Sequence, residues 1–198
     1  MVESLARLKD LLATRAPSDE PAPGTRHAAV AAILRERDVA LGAEVLLIRR
    51  AERLGDPWSG HMAFPGGRRE QDDPDLLSTA LRETREEIGL DLGRDARLLG
   101  RLDDIDAVAR GQRVGMAITP FVFELRGDPP LLLGASEVAD AIWTPLLPLF
   151  RGEAHAAYPY QLGEARLELP GFRVGERIVW GLTYQMLLAL FAVVRDSR

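Results

Sequence analysis

Two runs decide the reading of this 198-residue chain: Gly66-Gly67-Arg68-Arg69-Glu70 and, a short loop later, Arg82-Glu83-Thr84-Arg85-Glu86-Glu87-Ile88-Gly89-Leu90. The first reads as a flexible glycine turn. The second has helical spacing, with Glu83, Glu86 and Glu87 three and four residues apart. At about 100° per residue these carboxylates fall within roughly a 100° arc. Like charges so placed destabilise an isolated helix by about 0.2–0.5 kcal/mol per pair. Hard divalent cations want several oxygen ligands, so a bound metal would turn the repulsion into attraction. The plainer alternative is a solvated face with local pairs such as Arg82 with Glu86.

Outward from this run, Asp73 reads as the cap of the helix, Pro74 as its first residue and Gly89 as its stop. Leu77, Leu81, Thr84 and Ile88 recur at i, i+4, i+7 and i+11, an inward stripe on the face away from the carboxylates. Residues 3–15 read as a short amphipathic helix with Leu5, Leu8, Leu11 and Leu12 on one stripe. That helix either docks on the domain or pairs two subunits as a homodimer. The stretch 16–25, with three prolines and a glycine, reads as a linker. The chain thus divides into a helix and linker, 1–25, and a domain, 26–198.

Strands are expected at 28–34, 45–49, 62–64, 98–103, 117–124 and 141–144, and a closing apolar helix at 183–194. Strands on both sides of a central helix, with another helix at the end, predict an α/β class: an α/β/α sandwich with a mixed sheet between helices.

Composition narrows the function. A hydrophobic content of 46% supports one substantial core. The net charge of −5 argues against a nucleic-acid coat. No apolar run approaches the ~18 residues of a membrane span, and the N-terminus lacks a signal pattern, so the expected location is cytoplasmic. The absence of cysteine excludes disulfides, thiolate nucleophiles and Cys-ligated metals, leaving oxygen ligands. His27, His61 and His155 show no metal-ligand spacing, although His61 lies just upstream of the glycines.

Arg82 through Leu90 resembles the signature box of the Nudix hydrolases, with Thr84 as its one departure from an aliphatic position. The general pattern also places a Gly and a Glu where this chain has Arg68 and Pro74. The register of the coenzyme A pyrophosphatase subfamily fits instead, through Gly66, Gly67, Glu70, Asp73 and Thr79-Ala80-Leu81-Arg82-Glu83. Phe64-Pro65, Ser136-Glu137-Val138, Pro145-Leu146 and Trp180-Gly181-Leu182-Thr183 resemble further elements of that subfamily. Its upstream Arg motif departs here: the 50–60 segment is two residues longer, and Asp56 stands where the second Arg would fall.

The resemblance implies the Nudix fold and Mg²⁺- or Mn²⁺-dependent hydrolysis of a nucleoside diphosphate derivative, with no covalent enzyme intermediate. For the subfamily the substrate is coenzyme A or acyl-CoA, cleaved to 4′-phosphopantetheine and adenosine 3′,5′-bisphosphate. The lengthened loop leaves ADP-ribose or a dinucleotide as a rival substrate, and a non-hydrolytic nucleotide-binding regulatory module is the rival class. Glu83, Glu86 and Glu87 would hold the metal with the Gly67 carbonyl, Gly66 would shape the turn, and Arg82 would tie loop to helix. Glu83 or Glu137 would take the proton, or Glu137 would ligate a second metal, though Glu137 reads equally as a helix-start carboxylate or a loop salt bridge. Glu70 is a partner of Arg82 or a loop charge. Arg50 and Arg53 are candidate grips for substrate phosphates. Strand alternation sends Arg49 and Arg50 to opposite faces, so at most one of that pair faces the site. Trp58 stacks on a base or pantetheine arm, or caps the core.

Overall fold

The computed structural model describes residues 5–14, 25–38, 42–55, 58–109 and 112–195. Its elements begin with α1 (Leu5–Thr14), β1 (Arg26–Asp38), β2 (Gly42–Arg50), β3 (Met62–Ala63), β4 (Gly66–Arg68), α2 (Leu76–Ile88), α3 (Leu92–Asp95), β5 (Ala96–Arg101) and β6 (Ile105–Ala109). They continue with β7 (Gln112–Leu125), β8 (Val138–Pro145), α4 (Leu146–Arg151), β9 (His155–Leu162), β10 (Ala165–Val174), β11 (Arg177–Trp180) and α5 (Gly181–Arg195).

The main sheet has the path β3-β2-β1-β7-β5, with β4 also on β1, β6 on β7 and β8 on β2. Strands β1 and β7 run parallel, with Arg26 beside Met116 and Leu34 beside Glu124. The other pairings are antiparallel, so the sheet is mixed. Its central strands are buried on both faces, which is why they read as near-continuous apolar runs. Side chains still alternate. Ala29, Ala31 and Ile33 pack with Leu46, Ile48, Phe121 and Phe123 against Ala80 and Ile88 of α2. Ala32, Leu34, Val45, Leu47 and Val122 join the opposite core, with Leu8 and Leu12 of α1 and Leu187, Leu190 and Phe191 of α5. Helices on both faces make the α/β/α sandwich.

Helix α1 spends its apolar stripe on this domain. Leu8 and Leu12 are buried, and α1 lies so close to β5 that a Cβ on Gly100 would come within 2.8 Å of Leu12 Cβ. The side chain of Leu5 and, apart from Thr25, the linker at 16–25 lie outside the described residues.

Besides Gly66–Arg68, which is a strand paired with β1 rather than the expected turn, two features depart from expectation. The cap of α2 is Asp75, whose carboxylate accepts from Ser78 N at 2.7 Å, and the helix begins at Leu76. Asp73 is instead drawn inward by Arg82, and Pro74 precedes the helix. The second departure is a separate antiparallel sheet, β11-β10-β9. Two-residue turns Gly163-Glu164 and Gly175-Glu176 join its strands, with the glycines at φ 59° and 58°. Positive φ suits glycine at the first position of a tight hairpin turn.

Candidate active site

The box helix and the glycine strand meet edge to face. Gly66 N donates to Glu87 Oε2 at 2.8 Å, which holds that carboxylate beneath β4 with only 2% exposure. This approach demands glycine: a Cβ at Gly66 would lie 2.3 Å from Ala29 O, and φ is +147°. At Gly67 the obstacle is different, because a Cβ there would lie 2.5 Å from the carboxyl carbon of Glu83. The missing side chain leaves a notch floored by a carboxylate.

Burial pushes the Glu87 carboxyl up to about 7, against the Gly66 amide and the Arg50 charge, which pull it down. The charges of Glu83 and Glu137 add to the upward push. Glu83 is also raised, first by burial, with Arg82 opposing. A buried and a half-buried acid that resist sharing negative charge favour a cation between them. Their oxygens and the Gly67 carbonyl are hard donors of the kind Mg²⁺ or Mn²⁺ accepts.

The third box carboxylate sits elsewhere. Glu86 is at the rim, paired with Arg82 Nη1 at 3.1 Å, and does not line the cleft. Glu87 faces inward rather than sharing an outer face with it, because the Gly66 amide claims it. Among the described residues no three acidic or imidazole groups already converge as a metal cage. The donor chemistry therefore fits a divalent cation at Glu83 and Glu87, with Glu86 reaching it only on leaving Arg82.

Arg82 ties the motif together. It donates to both oxygens of Asp73, to Glu83 Oε1 at 3.1 Å and to Arg68 O at 3.1 Å, while Glu70 stands 3.9 Å away. At the other end of α2, Gly89 closes the helix in the left-handed region at φ 72°. Leu132 N and Gly134 N then donate to Ile88 O and Glu87 O, each at 2.8 Å, satisfying carbonyls of the last turn. The strap so anchored delivers Glu137 to the cleft.

There Glu137 pairs with Arg53 Nη2 at 2.9 Å, and Arg53 also grips Ser136 O at 2.8 Å. Residues 51–53 and 136–137 are thereby fastened together, helped by Ala51 N donating to Glu137 O at 2.7 Å. Arg50, Arg53, Trp58, Glu83, Glu87 and Glu137 all line one cleft of about 560 Å³, along with Gly66 and Gly67. Arg49 does not line it. Asp56 lies outside the described residues.

The rest of the lining carries no role assigned from sequence. Trp180 closes β11, stacks on Tyr158 with centroids 4.1 Å apart and planes at 10°, and meets His61 at 4.7 Å. Met116, Leu182 and Met186 add apolar surface. Thr183 Oγ1 donates to Met62 O at 2.9 Å, fixing the start of α5 against β3. The Trp-Gly-Leu-Thr run was the available signal, and His61 was marked only by its position.

Comparison with known proteins agrees with this geometry. The NUDIX domain model matches residues 25–162. An uncharacterized protein of Schizosaccharomyces pombe, C14C4.10c, is 45% identical over 111 residues, covering 55% of this chain and 34% of that protein. The match thus spans about a third of that relative's length. The mouse mitochondrial coenzyme A diphosphatase NUDT8 is 32% identical over 157 residues, 78% of this chain and 73% of that protein. Among solved structures, the Nudix hydrolase RenU of M. smegmatis superposes with a TM-score of 0.56 at 14% identity, covering 87% of this chain and 85% of that one. With its glycine strand, box helix and mixed sheet in place, the chain belongs to the Nudix family.

Proposed function

We propose that the cleft hydrolyses the diphosphate bond of a nucleoside diphosphate derivative, and that the substrate is coenzyme A or an acyl-CoA. The observation that carries the reading is the pair of carboxylates, half-buried Glu83 and buried Glu87, held under Gly66 and Gly67 in the floor of a cleft that also presents Arg50, Arg53 and Glu137. The diphosphatase activity in the name of the mouse relative supports the substrate assignment. So does the subfamily register of the glycine loop.

In this reading Glu83 and Glu87, the Gly67 carbonyl and, once freed from Arg82, Glu86 hold Mg²⁺ or Mn²⁺. Such an ion supplies charge neutralisation on the diphosphate and a lowered pKa for water. The chain's residues do the rest. Arg50 and Arg53 orient phosphate oxygens by charge-assisted bonds. Glu137 accepts the proton of the attacking water, for which Arg53 must release it, and Glu83 is the second candidate base. Trp58 offers a face to the organic arm. A cytoplasmic location goes with this reading, and fractionation tests it, since the mouse relative is named as mitochondrial.

The test is product analysis by mass spectrometry after incubation with Mg²⁺ or Mn²⁺ and a panel of coenzyme A, acyl-CoA, ADP-ribose and reduced dinucleotides. Release of 4′-phosphopantetheine by the native chain, and its loss in Glu87→Gln, is the expected result. Preferred cleavage of ADP-ribose or a dinucleotide would reassign the substrate. Binding without turnover on any member of the panel would overturn hydrolysis.

A further inference from the structure

Beside the main cleft lies a recess of about 270 Å³ that shares Arg68 with it. Its lining is Arg26, His27, Arg68, Arg69, Glu70 and Gln71. The start of β1 and the end of β4 bring these residues together: Ala28 pairs with Arg68, and Arg69 N donates to His27 O at 2.9 Å. Three guanidinium groups against one carboxylate make the recess cationic in a chain of net charge −5.

Part of that charge has a structural use. Arg26 gives one nitrogen to Val114 O at 2.7 Å, and Arg69 braces the Asp73 and Pro74 carbonyls. These bonds are to neutral carbonyls, so both positive charges stay uncompensated by them. The Arg68 side chain has no hydrogen-bond or ion-pair partner among the described residues. His27 Nδ1 is buried and also lacks a hydrogen-bond partner. A buried polar atom left unsatisfied calls for an explanation, and a bound ion or ligand group is one of the few available.

We infer that this recess binds a phosphomonoester carried on the nucleoside of the substrate, separate from the diphosphate in the main cleft; this rests on the hydrolase reading above. Guanidinium forks match phosphate oxygens, and the His27 ring in its Nδ1–H tautomer offers one more donor to them. Gly67 faces the main cleft and Arg68 is its neighbour on β4, about 3.3 Å further along the strand. One nucleotide therefore reaches both places. The recess selects substrates bearing an extra phosphate, which coenzyme A has and ADP-ribose lacks.

The test is calorimetric binding of adenosine 3′,5′-bisphosphate and adenosine 5′-monophosphate to the full chain, native and as Arg26→Gln and His27→Gln. The bisphosphate should bind at least about tenfold more tightly to the native chain, the scale of one or more hydrogen bonds to a charged group. Each variant should shrink that advantage and leave the monophosphate affinity unchanged. Equal affinities in the native chain, or a parallel loss of both ligands in the variants, would overturn the inference. Inorganic phosphate that abolishes the advantage without displacing adenosine 5′-monophosphate is expected, since it occupies the same recess. Inorganic phosphate that instead raises monophosphate affinity would assign the recess to a free anion and overturn its link to the substrate. Because no turnover is read, a chain that keeps the contrast yet hydrolyses nothing would overturn the hydrolase reading alone.

Discussion

Arg82 grips Asp73 with two prongs: Nε donates to Oδ1 at 3.0 Å and Nη2 to Oδ2 at 2.9 Å. Asp73 is buried, and its Oδ2 also accepts Glu70 N–H at 2.9 Å and Thr79 Oγ1–H at 3.0 Å. The remaining Arg82 nitrogen serves Glu83 and Glu86. A single guanidinium therefore sets the glycine loop against the helix. The Arg82 bonds outweigh burial and hold the Asp73 carboxyl well below the usual carboxylate range.

Asp73→Asn should cost about 2–3 kcal/mol of stability, since it leaves a partly buried guanidinium without its counter-charge. The pH dependence has a definite sign. A carboxyl held below its unfolded value of about 3.9 contributes its full stability above that value and loses it as pH falls toward the folded value. Urea unfolding near pH 7 should separate native and variant chains clearly, and the gap should narrow at about pH 3. A gap that is the same at both pH values would place the stabilisation elsewhere.

The two glycines of β4 should fail differently. Gly66→Ala drives a Cβ into the Ala29 carbonyl at 2.3 Å and strains a positive φ, so backbone must move; a loss of at least about 3 kcal/mol in stability is expected. Gly67→Ala meets only the movable carboxylate of Glu83. It should fold with nearly native stability and lose activity by about a hundredfold, the scale of a displaced metal-site group. Thermal melts alongside turnover numbers distinguish the two. Equal melting losses would show that both glycines serve packing alone.

Thr84 stands where the family box carries an aliphatic residue, and it is fully buried with an Oγ1 that has no hydrogen-bond partner. Thr84→Val keeps the shape and removes the orphaned hydroxyl. It should raise stability by about 1 kcal/mol, or roughly 2–4 °C in melting temperature. A fall on substitution would mean that the hydroxyl has a partner, such as a buried water.

The parts of the fold read most directly were those whose residues answer to one demand. The central strands are apolar because both faces are covered, and Ile88 with Gly89 marks a helix end by chemistry that acts within a few residues. Where two demands compete, the sequence is ambiguous. In Asp72-Asp73-Pro74-Asp75 the local rule of proline at the first helical position favours Asp73 as cap, but Arg82 claims Asp73 from nine residues away and Asp75 takes the role. Helical spacing puts Glu87 on one arc with Glu83 and Glu86, because spacing alone cannot register the Gly66 amide twenty-one residues upstream. The small sheet was hidden by its exposed, proline-interrupted strands, although Gly-Glu recurs at both of its turns.

Trp180 is the residue of the cleft that depends most on this hidden sheet. It ends β11, and its indole is stacked on Tyr158 of β9 and braced by His61, so the ring is presented in one orientation. An aromatic face so fixed at a nucleotide cleft can stack on a base or pack along an organic arm, each stacked base being worth about 1–3 kcal/mol. Trp180→Ala should therefore raise KM about tenfold or more with kcat little changed, the pattern of lost uniform binding. Tyr158→Leu, which removes the stacking partner but leaves the indole, should raise KM less. If kcat falls and KM does not move, Trp180 acts by seating the start of α5 beside Thr183 instead of touching the substrate. Steady-state kinetics of the two variants on the same substrate separate these roles, and a rise in KM confined to Trp180→Ala would show that the indole needs no support from β9.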